Sequence, residues 1–258
     1  MNEFALIQKY FKKLTYNNPS ALNLNDDVFF DKKSNVAVSI DTYVEGVHFH
    51  NFRNPDLVIK KIVRSSISDL YCKGVTPKFV FIGASGNKNS FSNRNLNIIS
   101  KSLKEEQKKY GIKLSGGDTT KSNRTIFSII SLGYSKKIVQ RNKCKNGDDI
   151  YVTGNIGDSY LGLQILKKKV LLNKKEHNYF TKKYYLPELP VKISSNLLNF
   201  ANSSIDISDG LFGDLTKLIN KSKLFYKVDM HKVPVSINLR NYLTKYKKNK
   251  INFISKGD

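Results

Sequence analysis

The chain has 258 residues, 40% of them apolar and 25% charged, enough to bury a real core and to divide into two domains. Its formal net charge is +23, but of 44 basic residues only six are Arg. Lys spread along the whole chain, with neither clustered Arg nor a recognisable nucleic-acid module, argues against a specific nucleic-acid binder, and no apolar run approaches the roughly 18–20 residues that cross a bilayer.

In chain order, residues 1–14 read as a first helix with Phe4, Ile7 and Phe11 on one buried stripe. Val28–Phe30 and Val36–Ser39 read as short strands around a turn at residues 31–33. A helix opens at Asn54-Pro55, where Pro suits the first turn, and runs to about Cys72. Gly74 and Pro77 close it. Phe79–Ile82 is a buried strand, residues 84–93 a Ser/Gly/Asn-rich loop and residues 94–110 a helix. Ile112–Leu114 is a strand ending at Gly116-Gly117, and Ile126–Gly133 another. The polar stretch 135–148 marks the domain boundary. Beyond it come a strand at Ile150–Val152, a helix at 158–167, a helix at 191–201, a strand at Ser204–Ile207, a helix through Leu211, Leu215 and Ile219, and a strand at Phe225–Val228. Strands interleaved with helices in both halves give an α/β (α+β) fold.

Against the Lys-rich background stand five acidic motifs beside Gly, Ser and Thr: Asn25-Asp26-Asp27, Ser39-Ile40-Asp41-Thr42, Ser68-Asp69, Gly116-Gly117-Asp118-Thr119 and Asp206-Ile207-Ser208-Asp209-Gly210. Hard oxygen ligands on tight backbone suit Mg²⁺ and a polyphosphate. Each motif alone also fits an ordinary turn or helix cap. The paired carboxylates Asp26 and Asp27 call for a cation between them. Asp41 sits at a strand end. Asp69, late in a helix, opposes the macrodipole, a cost that a cation offsets. Two glycines before Asp118 let the backbone approach a ligand. Ser208 or Asp209 is placed to cap the next helix, whose N-terminus suits an anion. His48 fits either a phosphate contact or a satisfied core imidazole. Gly154-Asn155-Ile156-Gly157 lacks a P-loop Lys, and Cys72 and Cys144 have no metal-ligand spacing, which suits free thiols in a reducing cytoplasm.

In this order and with their flanks, the motifs resemble the thiamine-monophosphate kinase family, of the aminoimidazole ribonucleotide synthetase-like superfamily. The segments that carry the resemblance are SIDTYVEGVHF (39–49), SGGDTT (115–120), NGDDIYVTGNIGDSYLGL (146–163) and NSSIDISDGLFGDL (202–215). The resemblance implies an N-terminal ATP/Mg-binding domain over 1–140 whose sheet forms a homodimer, and a second domain over 141–258. It implies Mg²⁺-dependent phosphoryl transfer from ATP to thiamine monophosphate in the cytoplasm. Residue by residue, Asp27, Ser39, Ile40, Asp41, Asp69, Asp118, Asp206 and Asp209 fall on metal positions, Asp41, Asp118 and Asp209 being the ones expected to be catalytic. Tyr110, Gly117, Asp118, Arg141 and Ser208 fall on nucleotide positions, and His48 and Asp258 on substrate positions.

Three departures from the family pattern stand out. Ile40 replaces a Thr that gives oxygen to a metal, so only a backbone carbonyl would serve there. Ser66 replaces the Asn of an N-L-S-D segment. The S-G-G-E-D-Y-E-L pattern is met only as far as Ser255-Lys256-Gly257-Asp258, so the second domain is expected to be incomplete. Another ATP-dependent enzyme of the superfamily, or a non-catalytic remnant or dimerising partner, are the alternative readings.

Overall fold

The computed structural model describes residues 3–220 and 223–257. Its first described element, α1 (Glu3–Leu6), continues through single turns at Ile7–Phe11, Lys12–Thr15 and Pro19–Leu24. The winding passes from α to π to 3₁₀, so positions 7 and 11 no longer share an α-helical stripe. The expected buried stripe is not formed: Phe11 is 48% exposed, and the Phe4 side chain lies outside the described residues.

Five strands follow, with two helices between them: β1 (Phe29–Asp31), β2 (Val36–Val44), α2 (Pro55–Cys72), β3 (Pro77–Gly86), α3 (Asn93–Tyr110), β4 (Lys113–Lys121) and β5 (Ile126–Tyr134). They form one sheet in the order β1-β2-β5-β3-β4. All pairs are antiparallel except β3–β4, which α3 joins as a crossover. The sheet has two unlike faces because side chains alternate along each strand. Ala37, Ser39, Asp41 and Tyr43 of β2 point to the same side as Phe127, Ile129 and Ser131 of β5, and α2 covers that side. The other side carries Val38, Ile40, Ile130 and Leu132, and there Ile40 stays 66% exposed.

Helix α2 organises the molecule. Pro55 takes its first turn, and Val58, Ile59, Ile62, Val63, Ile67, Leu70 and Tyr71 are buried at helical spacing. Each such side chain contributes on the order of 1.5–3 kcal/mol when fully buried. Helix α3 packs beside it, held by a buried Arg64–Glu106 pair with both hydrogen bonds at 2.8 Å. Gly74, left-handed at φ +76°, ends α2 by the route its sequence predicts.

The second half is helical: α4 (Asp158–Leu166), α5 (Lys174–Tyr185), α6 (Val191–Phe200), α7 (Leu211–Ile219), α8 (Ile237–Lys245) and α9 (Ile251–Ile254). Its own core gathers Ile156, Leu161, Phe180, Leu211, Leu215, Leu239, Tyr242 and Phe253. Helices α5 and α6 return to α2, bringing Tyr184 and Tyr185 into the core under the sheet. The strands expected at 150–152, 204–207 and 225–228 are not formed. Among the described residues no neighbouring strand shares their backbone groups, and Tyr151 and Phe225 are 87% and 98% exposed rather than buried.

Candidate metal and phosphate site

Four segments meet where the sheet joins the helical half. They are the turn Asn25–Asp27, the middle of β2, the last turn of α2, and the loop 203–210 ahead of α7. β2 runs to Val44, past Asp41, so Asp41 sits inside a strand rather than at its end. Carboxylate oxygens of Asp27, Asp69 and Asp206 lie within 4.8 Å of one another. Hydroxyl groups fix their directions. Ser39 Oγ donates to Asp69 Oδ2 at 2.7 Å, Ser68 Oγ to Asp206 Oδ2 at 2.5 Å and Tyr43 Oη to Asp41 Oδ2 at 3.2 Å.

The charges of this cluster act on one another. Burial, and then the charge of Asp206, push the Asp41 carboxyl up to about 6, with the Tyr43 hydrogen bond opposing. Burial, followed by Asp206 and Asp41, raises Asp69 well above the usual carboxylate range. Asp206 is raised too, chiefly by burial. Carboxyls so arranged favour any added cation.

Two protein cations already reach the edge of the cluster. Lys73 Nζ lies 2.8 Å from Asp26 Oδ1 and 2.7 Å from Asp27 Oδ2. Arg141 grips Asp27 with Nε at 3.0 Å from Oδ2 and Nη2 on Oδ1, while its amide donates to Asp26 Oδ2 at 2.8 Å. The mutual repulsion expected of Asp26 and Asp27 is thus relieved by side chains of the protein itself. Hard oxygens at this spacing also suit Mg²⁺, whose ligands at about 2.1 Å stand up to about 4.2 Å apart across one ion.

The loop 206–210 is shaped by a residue to which the motif reading gives no role. Asp214, buried on α7, reaches back to accept from the amides of Ser208 at 2.9 Å and Asp209 at 3.0 Å. The cap expected from Ser208 or Asp209 is not formed. The helix begins at Leu211 with Gly210 as its N-cap and no side-chain cap, while Asp214 holds the amides just ahead of it. Lys217 bridges Asp209 at 2.5 Å and Asp214 at 2.9 Å. Gly210 has φ +107°, and a Cβ there would stand 2.6 Å from the Ser255 carbonyl carbon, so the segment 255–257 packs on this loop.

Other candidate residues lie apart from the carboxylate cluster. Gly116-Gly117-Asp118 is not a turn but the interior of β4, with a register shift opposite Val80 and Phe81. Gly117 is required there by close approach, since a Cβ would meet the Ile82 carbonyl oxygen at 2.1 Å. Asp118 pairs with Gly83 and through it with Ser128, which places it on the open face of the sheet. It borders a groove of about 180 Å³ with Ser85, Thr120 and Ser128. The Ile40 side chain points to the same open face.

Tyr110 is buried against Tyr71 and Arg64 at the α2–α3 seam. His48 is exposed, which rules out a core imidazole. Its Nδ1 accepts from the Val44 amide at 3.1 Å, leaving Nε2 as the donor of the neutral ring, and burial plus nearby Lys61 lower its pKa. Ser66 pairs with Ser131 at 2.8 Å inside the core. Asp258 lies outside the described residues.

Sequence reasoning missed Lys73, Asp214, Lys217 and Tyr43. Lysines just past the end of a helix are ordinary complements of the dipole, so Lys73 carries no signal of its own. Asp214 does carry one, an acidic residue in the first turn after the Ser208-Asp209-Gly210 motif.

Residues 24–134 match the family model described as AIR synthase related protein, N-terminal domain. The chain is 36% identical over 241 residues to thiamine-monophosphate kinase of Buchnera aphidicola subsp. Schizaphis graminum, covering 91% of this chain and 74% of the relative. It is 30% identical over 250 residues to that of Escherichia coli K12, covering 93% and 75%. Among solved structures, AaThiL complexed with AMPPCP and TMP superposes with a TM-score of 0.90 at 26% identity, covering 99% of this chain and 82% of that one. Sequence similarity over nine-tenths of its length and a shared architecture make this chain a member of the thiamine-monophosphate kinase family.

Proposed function

We propose that this protein transfers the γ-phosphoryl group of ATP to the phosphate of thiamine monophosphate. A phosphate oxygen of thiamine monophosphate forms the new bond to phosphorus, the bond to the bridging oxygen of ADP breaks, and the products are thiamine diphosphate and ADP. The observation that carries the reading is the convergence of Asp27, Asp69 and Asp206 within 4.8 Å, with Ser39 and Asp41 beside them. Mg²⁺ bound there would neutralise the phosphate oxygens. The protein's own part is to orient those oxygens and hold the reactants in line, work that needs no protein nucleophile.

Arg141 is assigned to the nucleotide. Its planar guanidinium, now paired with Asp27, suits bidentate phosphate contact once a metal replaces it there. Ser208, Gly117 and Tyr110 are further candidate nucleotide positions, Asp118 and Asp209 further metal positions, and His48 the substrate contact, with Nε2 as its donor. Residues 1–140 are read as the nucleotide and dimerisation domain and 141–258 as the second domain, in keeping with their largely separate cores. The open sheet face is read as the homodimer surface, and the cytoplasm as the compartment, in keeping with the free Cys72 and Cys144.

The test is ADP release and thiamine diphosphate formation by the purified chain with Mg·ATP, with and without thiamine monophosphate. Release that depends on thiamine monophosphate and falls at least about 100-fold in Asp69→Asn supports the reading. Folded protein that shows no heat of binding to Mg·ATP overturns it.

A further inference from the structure

Lys73 is a fully buried charge with a partner for every N–H, and the reading above gives it no role. It follows the last residue of α2, and its side chain is 0% exposed. An ammonium has three N–H bonds, and each finds an oxygen here: Asp26 Oδ1 at 2.8 Å, Asp27 Oδ2 at 2.7 Å and the Ser204 carbonyl at 2.9 Å. Two carboxylates and a main-chain carbonyl are the donor set that a hard divalent cation takes.

The backbone of Lys73 is tied as firmly. Its amide donates to the Leu70 carbonyl, and its own carbonyl accepts from Val139 at 3.0 Å, in the stretch leading to the second half. Ser204 Oγ in turn donates to the Cys72 carbonyl. One side chain therefore joins the turn 25–27, the end of α2 and the loop that carries Asp206.

We propose that Lys73 is a built-in cation: it fills a divalent-ion position at Asp26, Asp27 and Ser204, and so keeps the acidic site assembled before any metal arrives. It is a positioning residue, since it touches no reacting atom. It sets the direction of Asp27 and fixes the loop of Asp206 against α2. Divalent ions are thereby directed to the side of the cluster where Asp27 faces Asp69 and Asp206. The inference rests on the metal reading of that cluster.

The experiment compares wild type with Lys73→Met, which keeps an unbranched side chain one atom shorter and removes its charge. Melting temperature is measured in EDTA and in saturating Mg²⁺, and bound Mn²⁺ is counted by electron paramagnetic resonance. Wild type stays folded in EDTA. Lys73→Met melts roughly 10 °C lower in EDTA, because two buried carboxylates lose a cationic partner and keep only Arg141. Added Mg²⁺ closes at least half of that gap, and the variant binds one more Mn²⁺ per chain than wild type.

If the variant is unfolded in EDTA, refolding on addition of Mn²⁺ supports the proposal, and failure to refold overturns it. An unchanged melting temperature overturns it, as does a deficit that metal does not repair or an equal Mn²⁺ count. Wild type that binds no Mn²⁺ at all would sink the metal reading, whereas an equal, non-zero count in both proteins sinks the role of Lys73 alone.

Discussion

At the scale of single residues, the site stores negative charge that protons and the proposed metal ions would compete to neutralise. Asp41, raised to about 6, shows the sign of that competition. A carboxyl raised in the folded state favours the native protein below its unfolded value, and the contribution is lost as pH rises through the folded one. Metal-free protein therefore loses stability from this group between about pH 4 and about pH 6. A bound cation favours the ionised form, so the rise in melting temperature produced by Mg²⁺ is expected to be larger at about pH 8 than at about pH 5. Thermal scans at the two pH values, with Mg²⁺ and with EDTA, check it. Equal increments would mean that Asp41 takes no part. The carboxylates of this site were legible in the sequence because each stands in an acidic motif among Gly, Ser and Thr. Their counter-charges were not. Lys73 looks like any other Lys, and Arg141 reads as a nucleotide contact rather than as the partner of Asp26 and Asp27, until the chain brings residues 26, 73 and 141 together.

At the scale of elements, helix α2 was readable and the segments around it were less so. Its apolar residues recur at three and four positions, and that pattern survives in three dimensions. The same logic failed at Gly116-Gly117, where two glycines signal a turn but permit a strand to pass close to Ile82. It failed again at residues 225–228, where β-favouring residues find no neighbouring strand to pair with. The seam between α2 and α3 gives a sharper test. Arg64 and Glu106 are both buried, with side chains 7% and 2% exposed, and they close two hydrogen bonds. Glu106→Gln leaves a buried guanidinium without its counter-charge and is expected to cost about 3–5 kcal/mol in urea unfolding. Arg64→Met combined with Glu106→Met is expected to recover much of that loss, because an apolar pair of similar volume carries no desolvation cost. A double variant as unstable as the single one would show that the pair does more than hold the seam.

At the scale of the whole molecule, the two faces of the sheet bear on the proposed self-association. One face is closed by α2. The other presents Val38, Ile40, Phe81, Ile130 and Leu132 in adjoining register, with Tyr134 54% exposed at one end. Apolar patches of this kind seldom stay open to water on a soluble chain, and a second copy rotated by two-fold symmetry offers the same surface in return. Wild type is therefore expected to sediment as a dimer. Ile40→Glu combined with Ile130→Glu, two residues directly paired at the centre of this face, would place like charges opposite one another in the interface. That variant is expected to sediment as a monomer with an unchanged far-ultraviolet circular dichroism spectrum. Asp118 lies on the same face beside Ser128, so association also decides which groups Asp118 meets. A sedimentation series on wild type and the double variant, run alongside Mg·ATP titrations, separates the two consequences. If the monomeric variant still binds Mg·ATP with wild-type affinity, the cluster around Asp69 is sufficient for the nucleotide and Asp118 serves another step. If affinity falls with dimerisation, the open face is part of the site.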